Sequence, residues 1–361
     1  MSFRNLLGNQ QTVDRLRGML ADGRFPQAVI LAGPEGAGKY TLAQMVAKAM
    51  NCLAPPATEG LPDFCGGCRN CQRIAEADDL CARFDEAVET RESLRDADRR
   101  DTRILVQTHP DVVIIPPDPP QMMIKVDQVR HVIQSIYYRP AEAARKVYIF
   151  TDSAFMKEAA NALLKVLEEP PEYAHIFLLT ANPGELLVTI RSRSATFTLA
   201  PLPVNELERL LTRERPELKD KQRRLIAALS GGAVGKARIF DLEGYIERRN
   251  DALALLKAED HSQLFRVTET YRSGGEGKQK TEMLITVLYS LLQDLLALKS
   301  DAVELVRNAD IVPELRRLAL SVSFDWIASA AAQLAAVERG MRRNLLRSLS
   351  LDAFAVALEQ P

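Results

Sequence analysis

The sequence predicts an α/β protein, a parallel sheet with crossover helices, followed by an all-helical region. Three observations predict this. Short apolar, β-rich runs alternate with helical patterns over about the first 200 residues. A glycine-rich turn joins the first of those runs to a helix. After Pro201 the strand signals stop and helical periodicity takes over.

The strands expected are "AVILA" (28–32), "VVIIP" (112–116), "KVYIFT" (146–151), "HIFLLT" (175–180) and "ATFTLA" (195–200). Between the third and fourth lies "SAFMKEAANALLKVLEEPP". Asp152 or Ser153 can cap that helix and Pro170-Pro171 stops it. Met156, Ala160, Leu163, Leu164 and Leu167 recur at helical spacing and are expected to face the core. Residues 202–240 read as short helices ending in "SGGAVGKAR". From about 243 the chain is helical. Met283, Leu284, Val287, Leu288, Leu291, Leu292 and Leu295 form one stripe, and the stretch from Asp325 to Leu358 supplies two more helices. "RSGGEGKQK" (272–280) reads as a helix–helix loop.

A chain of 361 residues implies two or three domains. Its 47 basic and 48 acidic residues give a net charge of −1, so any nucleic-acid contact must be a local patch or belong to an assembly. The start, "MSFRNLLGNQ", lacks an apolar signal core, and no run approaches the ~20 apolar residues of a membrane span. The expectation is a cytoplasmic protein with no membrane partner. Five cysteines without a signal peptide argue against a disulfide framework.

"LAGPEGAGKYT" (31–41) has the spacing of a phosphate-binding loop, Gly33-x-x-x-x-Gly38-Lys39, with Gly36 between. Its backbone N–H groups and the helix N-terminus suit an anion, and Lys39 has the reach for β- and γ-phosphates. The next position normally supplies a short Ser or Thr hydroxyl to Mg²⁺; here it is Tyr40. Thr41 cannot substitute, because one helical step rotates a side chain by about 100°. The strand that should end in a metal-binding Asp and a water-orienting Glu ends in Thr151 and Asp152. Both changes argue against efficient hydrolysis.

Cys65-Gly-Gly-Cys68-Arg-Asn-Cys71, with Cys52 upstream, offers four thiolates. A closed tetrahedral Zn²⁺ site fits them as a structural staple. An iron–sulfur cluster is the rival. Cys81 is a spare thiol. Residues 73–108 are rich in Asp, Glu and Arg, and read as a solvated helix or excursion, or as a partner-binding arm. Ser192-Arg193-Ser194 precedes the last strand; read alone, its arginine is a solvated loop residue.

These residues together resemble the AAA+ subunits of the bacterial DNA polymerase III clamp loader, the delta-prime class above all. The resemblance runs across the whole chain. It is carried by "LLGNQ", "FPQAVILAGPEGAGK", the four cysteines, "HPDVVII", "IKVDQVRHVI", the "ANALLKVLEEPP" run and "LLVTIRSRS". It implies an AAA+ core over 1–200 with a zinc module (52–71) and the charged insertion (73–108). A helical lid (201–242) and a helical collar for oligomerisation (243–361) follow. It implies a stator in a five-subunit ring with tau/gamma and delta, acting on the sliding clamp and primed DNA. Structural zinc is implied at Cys52, Cys65, Cys68 and Cys71. A degenerate nucleotide loop is implied at Gly33, Gly36, Gly38, Lys39, Tyr40 and Thr41, with ATP binding doubtful. Arg193 maps to the arginine finger given in trans, with Ser194 where the family has Cys. Val234 stands where a second nucleotide-sensing Arg is usual, and the sensor-one polar residue aligns at or beside Ala181. Two other readings stand beside this one: an active tau/gamma-type ATPase, and a freestanding zinc-containing nucleic-acid-binding protein.

Overall fold

The run "AVILA" becomes strand β1 (Ala28–Ala32), and all five of its residues are buried. A strand covered on both faces reads as continuously apolar rather than alternating. Val29 and Leu31 pack into one apolar layer while Ala28, Ile30 and Ala32 pack into the other. Each such Val, Leu or Ile contributes about 1.5–3 kcal/mol by leaving water. The computed structural model describes residues 2–257, 267–269, 271, 276–342, 352–354 and 356.

The chain divides into two compact units. The first comprises residues 1–202 with 233–236, and the second comprises 203–232 with 237–361. The first unit holds a six-stranded sheet in the order β4-β5-β6-β7-β1-β8. Its other strands are β4 (Val106–His109), β5 (Val112–Ile115), β6 (Lys146–Phe150), β7 (Ala174–Thr180) and β8 (Ala195–Thr198). β1 runs parallel to both β7 and β8, and β5, β6 and β7 run parallel in series. Two short strands, β2 (Ala57–Thr58) and β3 (Leu61–Pro62), make a separate hairpin. The five expected strands lie where the apolar runs placed them. β4 went unread: it pairs antiparallel with β5, and within it only Val106 and His109 are buried.

Helices α1 (Gln10–Ala21), α2 (Lys39–Asn51) and α3 (Arg69–Ala75) supply the layer that includes Leu16, Leu42, Val46 and Ile74. After them come α4 (Leu80–Glu92) and α5 (Asp96–Asp101). Helices α6 (Val126–Ile136), α7 (Lys157–Glu168) and α8 (Val188–Arg191) supply the opposite layer. α7 corrects two expectations. Its N-cap is Met156, with no side-chain cap; the Asp152 carboxylate accepts from Ala154 N at 2.8 Å instead. The chain detours there to bond Ile124, through Ile124 N to Ala154 O and Met156 N to Ile124 O. Ala160, Leu163 and Leu167 face the core as expected, joined by Ala159 and Val166, whereas Met156 is exposed and Leu164 half-buried.

The second unit holds α9 (Val204–Glu214) and α10 (Asp220–Leu229), then α12 (Leu242–Lys257), α13 (Glu276–Lys299), α14 (Val312–Ser321) and α15 (Phe324–Arg342). The short α11 (Val234–Arg238) begins in the 233–236 segment assigned to the first unit. Leu284, Val287, Leu288, Leu291, Leu292 and Leu295 of α13 are buried, and Met283 packs against them. Residues 276–280, expected in a loop, are the first turn of α13; 272–275 and most of the second helix expected after Asp325 lie outside the described residues. Contrary to the reading that no run suits a membrane span, Lys280–Lys299 is long and apolar enough by composition, with a mean hydropathy of 1.4. Two-thirds of it is buried in this core, so its apolarity serves packing. Within it the Asp294 carboxylate accepts from Arg307 N, Asn308 N and Asn308 Nδ2 at 2.7–2.9 Å. Arg249 meets Asp310 through two hydrogen bonds.

Candidate phosphate loop, metal centre and exposed arginine

The phosphate loop leaves β1 and enters α2, as the Gly-rich spacing requires. Gly36 and Gly38 hold φ of +79° and +88°, a region side chains disfavour. A Cβ on Gly33 would sit 2.4 Å from Leu199 O, and one on Gly36 2.9 Å from Lys236 N. The 233–236 segment closes on the loop: Gly235 N donates to Gly36 O at 2.9 Å, and Lys236 pairs with Glu35.

Lys39 does not project from this loop. Its Nζ donates to Gly33 O at 2.7 Å and Pro34 O at 2.9 Å. Burial lowers its pKa, while Glu35 and Asp152 pull the other way. Tyr40 points away from the loop altogether. Its Oη donates to Ala77 O at 2.5 Å and accepts from Gln44 Nε2 at 2.7 Å, one helical turn on. Burial raises the Tyr40 pKa, so the phenol stays protonated and keeps its donor. The hydroxyl that a metal-binding Ser or Thr would offer is therefore spent on α3's far end. Thr41 is exposed. At the end of β6, Thr151 N donates to Ile115 O and no carboxylate occupies that position. The polar residue beside Ala181 is Thr180, buried, with its hydroxyl within hydrogen-bond distance of Ser153 Oγ and Asn182 O. Val234 is half-buried and offers no guanidinium.

The opposite end of α2 holds the four cysteines. Cys52 is the C-cap of α2, Cys68 the N-cap of α3, Cys71 lies in the first turn of α3 and Cys65 in the loop before it. Their sulfurs all lie within 4.8 Å of one another. Cys52 Sγ and Cys68 Sγ are 4.0 Å apart, twice the ~2.05 Å of a disulfide. Four thiolates at ~2.3 Å from one Zn²⁺ stand about 3.8 Å apart, so this donor set fits a tetrahedral ion with little movement. Cys65 N donates to Cys52 Sγ at 3.3 Å and Cys68 N to Cys65 Sγ at 3.2 Å, contacts that favour thiolates. Burial raises the Cys52 and Cys71 thiols. At Cys68 burial is outweighed by the N–H groups of Cys71 and Leu53 and the neighbouring thiols, which bring it down to about 6. Cys81, exposed, is outside the cluster. Two further contacts tie this region: Lys48, in the last turn of α2 and buried, pairs with Asp78 past the end of α3, and Asn70 Nδ2 donates to Asn51 O at 2.9 Å.

Arg193 follows α8 on the surface. It donates to Thr189 O at 3.2 Å and pairs with Glu168 Oε1 at 3.1 Å, an exposed ion pair of the weak kind. Arg191 is exposed. Sequence reasoning missed the partners of Lys39, Tyr40, Lys48 and Arg193. The only local signal was the i,i+4 spacing of Tyr40 and Gln44.

A parallel sheet with a glycine loop between its β1 strand and α2, a four-cysteine centre and a helical second unit defines an AAA+-type α/β protein. A family model described as DNA polymerase III, delta subunit, matches residues 8–203, and the chain belongs to this bacterial clamp-loader family. It is 27% identical to the DNA polymerase III subunit tau of Escherichia coli over 348 residues, which are 94% of this chain and 43% of that protein. It is 31% identical to the subunit delta' of Pseudomonas aeruginosa over 225 residues, 62% of this chain and 58% of that protein. A solved structure of a gamma subunit-related protein of Thermotoga maritima covers 97% of this chain and 99% of its own at 18% identity and a TM-score of 0.44. The chain spans about half the length of the curated relatives it matches.

Proposed function

We propose that the chain is the delta-prime subunit of a clamp loader: a stator that gives Arg193 to ATP held by its neighbour and hydrolyses little or none itself. Its partners are tau/gamma and delta subunits in the cytoplasm, and through the assembly the sliding clamp and primed DNA. The observation that carries this reading is the commitment of the loop's two chemical groups elsewhere. The Lys39 ammonium is held by the loop's own carbonyls and the Tyr40 hydroxyl by Ala77. Zinc at Cys52, Cys65, Cys68 and Cys71 serves as a structural staple, with no ligand position left open for chemistry. In this reading residues 1–200 are the AAA+ core, 201–242 the lid and 243–361 the collar through which the ring assembles.

Arg193 suits a finger because its guanidinium stays charged and its planar fork meets phosphate oxygens in pairs. Its present partner, Glu168, holds it by an exposed ion pair that a γ-phosphate can outbid. The test is single-turnover hydrolysis in a reconstituted ring where only the adjacent subunit has an intact phosphate loop. Arg193→Ala slows that site by about 10³–10⁵, roughly 4–7 kcal/mol of barrier. Arg191→Ala, two positions away, leaves it nearly unchanged. Equal rates for Arg193→Ala and the unmodified ring return Arg193 to a solvated surface residue. The 27% identity to tau over 94% of this chain favours a second reading, an active tau/gamma-type ATPase. Turnover by the isolated chain that Lys39→Ala abolishes would establish it.

A further inference from the structure

The segment 73–108 leaves a cleft in the first unit. Its volume is about 880 Å³, and its walls carry Arg91, Arg99 and Arg103 on one side and Lys125 in the lead-in to α6 on the other. Helix α4, which supplies Arg91, has no buried residue, so packing alone gives this helix little reason to hold its position. What fastens it is charge. Asp118, almost fully buried, receives Arg91 at 2.7 Å and Lys125 at 2.8 Å.

The carboxylates of the cleft are mostly occupied. Asp118 is shared by two cations, and Asp127 pairs with Arg130 at 2.9 Å. Glu92 is the exception, and its backbone carbonyl also accepts from Arg99 at 2.6 Å. Among the described residues Arg99 has no carboxylate partner, and Arg103 is exposed with neither a hydrogen bond nor an ion pair. Two guanidiniums thus face an open, polar cleft unpaired with any carboxylate among the described residues, beside a third and an ammonium that already neutralise a buried acid, and Glu92 is the one acid of the lining left to offset them. Guanidinium forks of this kind match phosphate oxygens. A neutral chain can still hold a strand if its cations are gathered in one place.

We infer that this cleft binds the phosphodiester backbone of a nucleic-acid strand, through Arg99 and Arg103. Recognition is of phosphate, without base readout, because the lining offers cations and no stacking aromatic. The inference is independent of the stator reading, since it concerns direct binding by this chain.

The full-length chain alone is titrated with a labelled single-stranded oligonucleotide at several salt concentrations. The unmodified chain binds at low salt, with little dependence on sequence. Arg99→Ala/Arg103→Ala weakens binding roughly tenfold at low salt and lowers the magnitude of the slope of log K against log salt by about 1.4, two single-strand phosphate contacts' worth. Arg99→Lys/Arg103→Lys keeps the slope. Arg139→Ala, an exposed arginine beyond the C-terminal end of α6, changes neither quantity. Unchanged metal content and thermal unfolding show that each variant is folded. No binding by the unmodified chain, or an unchanged slope in the folded double-Ala variant, overturns the assignment. So does full displacement of the strand by inorganic phosphate where chloride at equal ionic strength leaves it bound, which makes the cleft a free-phosphate pocket.

Discussion

The two ends of helix α2 each carry a recognisable motif, and the residues of the two motifs make opposite kinds of contact. At its N-terminus the glycine loop keeps its shape while its reactive groups turn inward, Lys39 to the loop's carbonyls and Tyr40 to Ala77. At its C-terminus Cys52 joins three other thiols in a set ready for a metal. The comparison teaches that a motif is preserved by whatever its residues now bond. The carbonyl that holds Tyr40, Ala77 O, lies just past α3, the helix that Cys68 caps and Cys71 enters. The α2–α3 pair is thus joined at the metal end by cysteines, from the last turn of α2 by Lys48–Asp78, and at the loop end by one phenol.

Breaking the metal end has the largest expected effect. Cys65→Ser or Cys68→Ser, or a strong chelator, removes the metal and loosens residues 52–75, because metal binding is folding free energy. Zinc-finger peptides set an upper bound of about 10–16 kcal/mol; here the sheet core remains, so the loss is several kcal/mol at most. Elemental analysis and thermal unfolding measure it, with Cys81→Ser as a control that keeps its metal. A chain purified without chelators that carries no zinc breaks the comparison at this end.

The loop end is sharpened by Tyr40→Phe. The change leaves the Ala77 carbonyl and Gln44 amide without their partner, at a cost of about 1–3 kcal/mol in denaturant unfolding. Faster hydrogen exchange at residues 33–40 in that variant reports the lost anchor. Tyr40→Thr restores the usual hydroxyl, yet no turnover is expected, since Thr151 still supplies no carboxylate to a metal. Measured ATP hydrolysis by that single variant overturns the account of the loop. Lys39→Ala has a smaller effect, about 1 kcal/mol or less, because the ammonium is only half-buried and its partners can take water.

Mild acid gives the smallest signal. Burial holds the pKa of His109, His131 and His175 below the ordinary 6.5. The unfolded chain therefore binds more protons than the folded one as pH falls through 6.5 toward the folded values. Stability is fully present above 6.5 and declines below it. His175→Phe, replacing a ring packed edge-on against Phe25, flattens that decline if the variant folds. Unfolding midpoints between neutrality and mild acid that do not move refute the burial argument.

The parts legible in the sequence were those whose physics is local or repetitive. Buried parallel strands such as β1 and β7 are unbroken apolar runs, so their places were plain. Cysteines three residues apart sit within reach of one ion whatever surrounds them. Strand β4 was hidden because only its antiparallel partner makes it a strand. The cap of α7 was misread because the chain bonds Ile124, some thirty residues away, before turning helical. Leu164 has the right spacing for the core but lies at the edge of the stripe, and packing against α6 decides such edges.

By itself the sequence determined a parallel α/β unit, an all-helical remainder, a glycine loop without its metal-binding hydroxyl and a four-thiol set. Each follows from composition and short-range spacing, which the chain carries wherever it folds. Only the tertiary structure decided where the freed groups went. The Tyr40–Ala77 and Lys48–Asp78 contacts join residues thirty or more positions apart. The cleft of Arg99 and Arg103 lies where Arg91 of α4 meets Asp118, a pairing of residues 27 positions apart. Long-range pairings of polar groups leave no periodic trace along a chain, since what selects them is the energy of leaving a buried donor or acceptor unpaired once the core has closed.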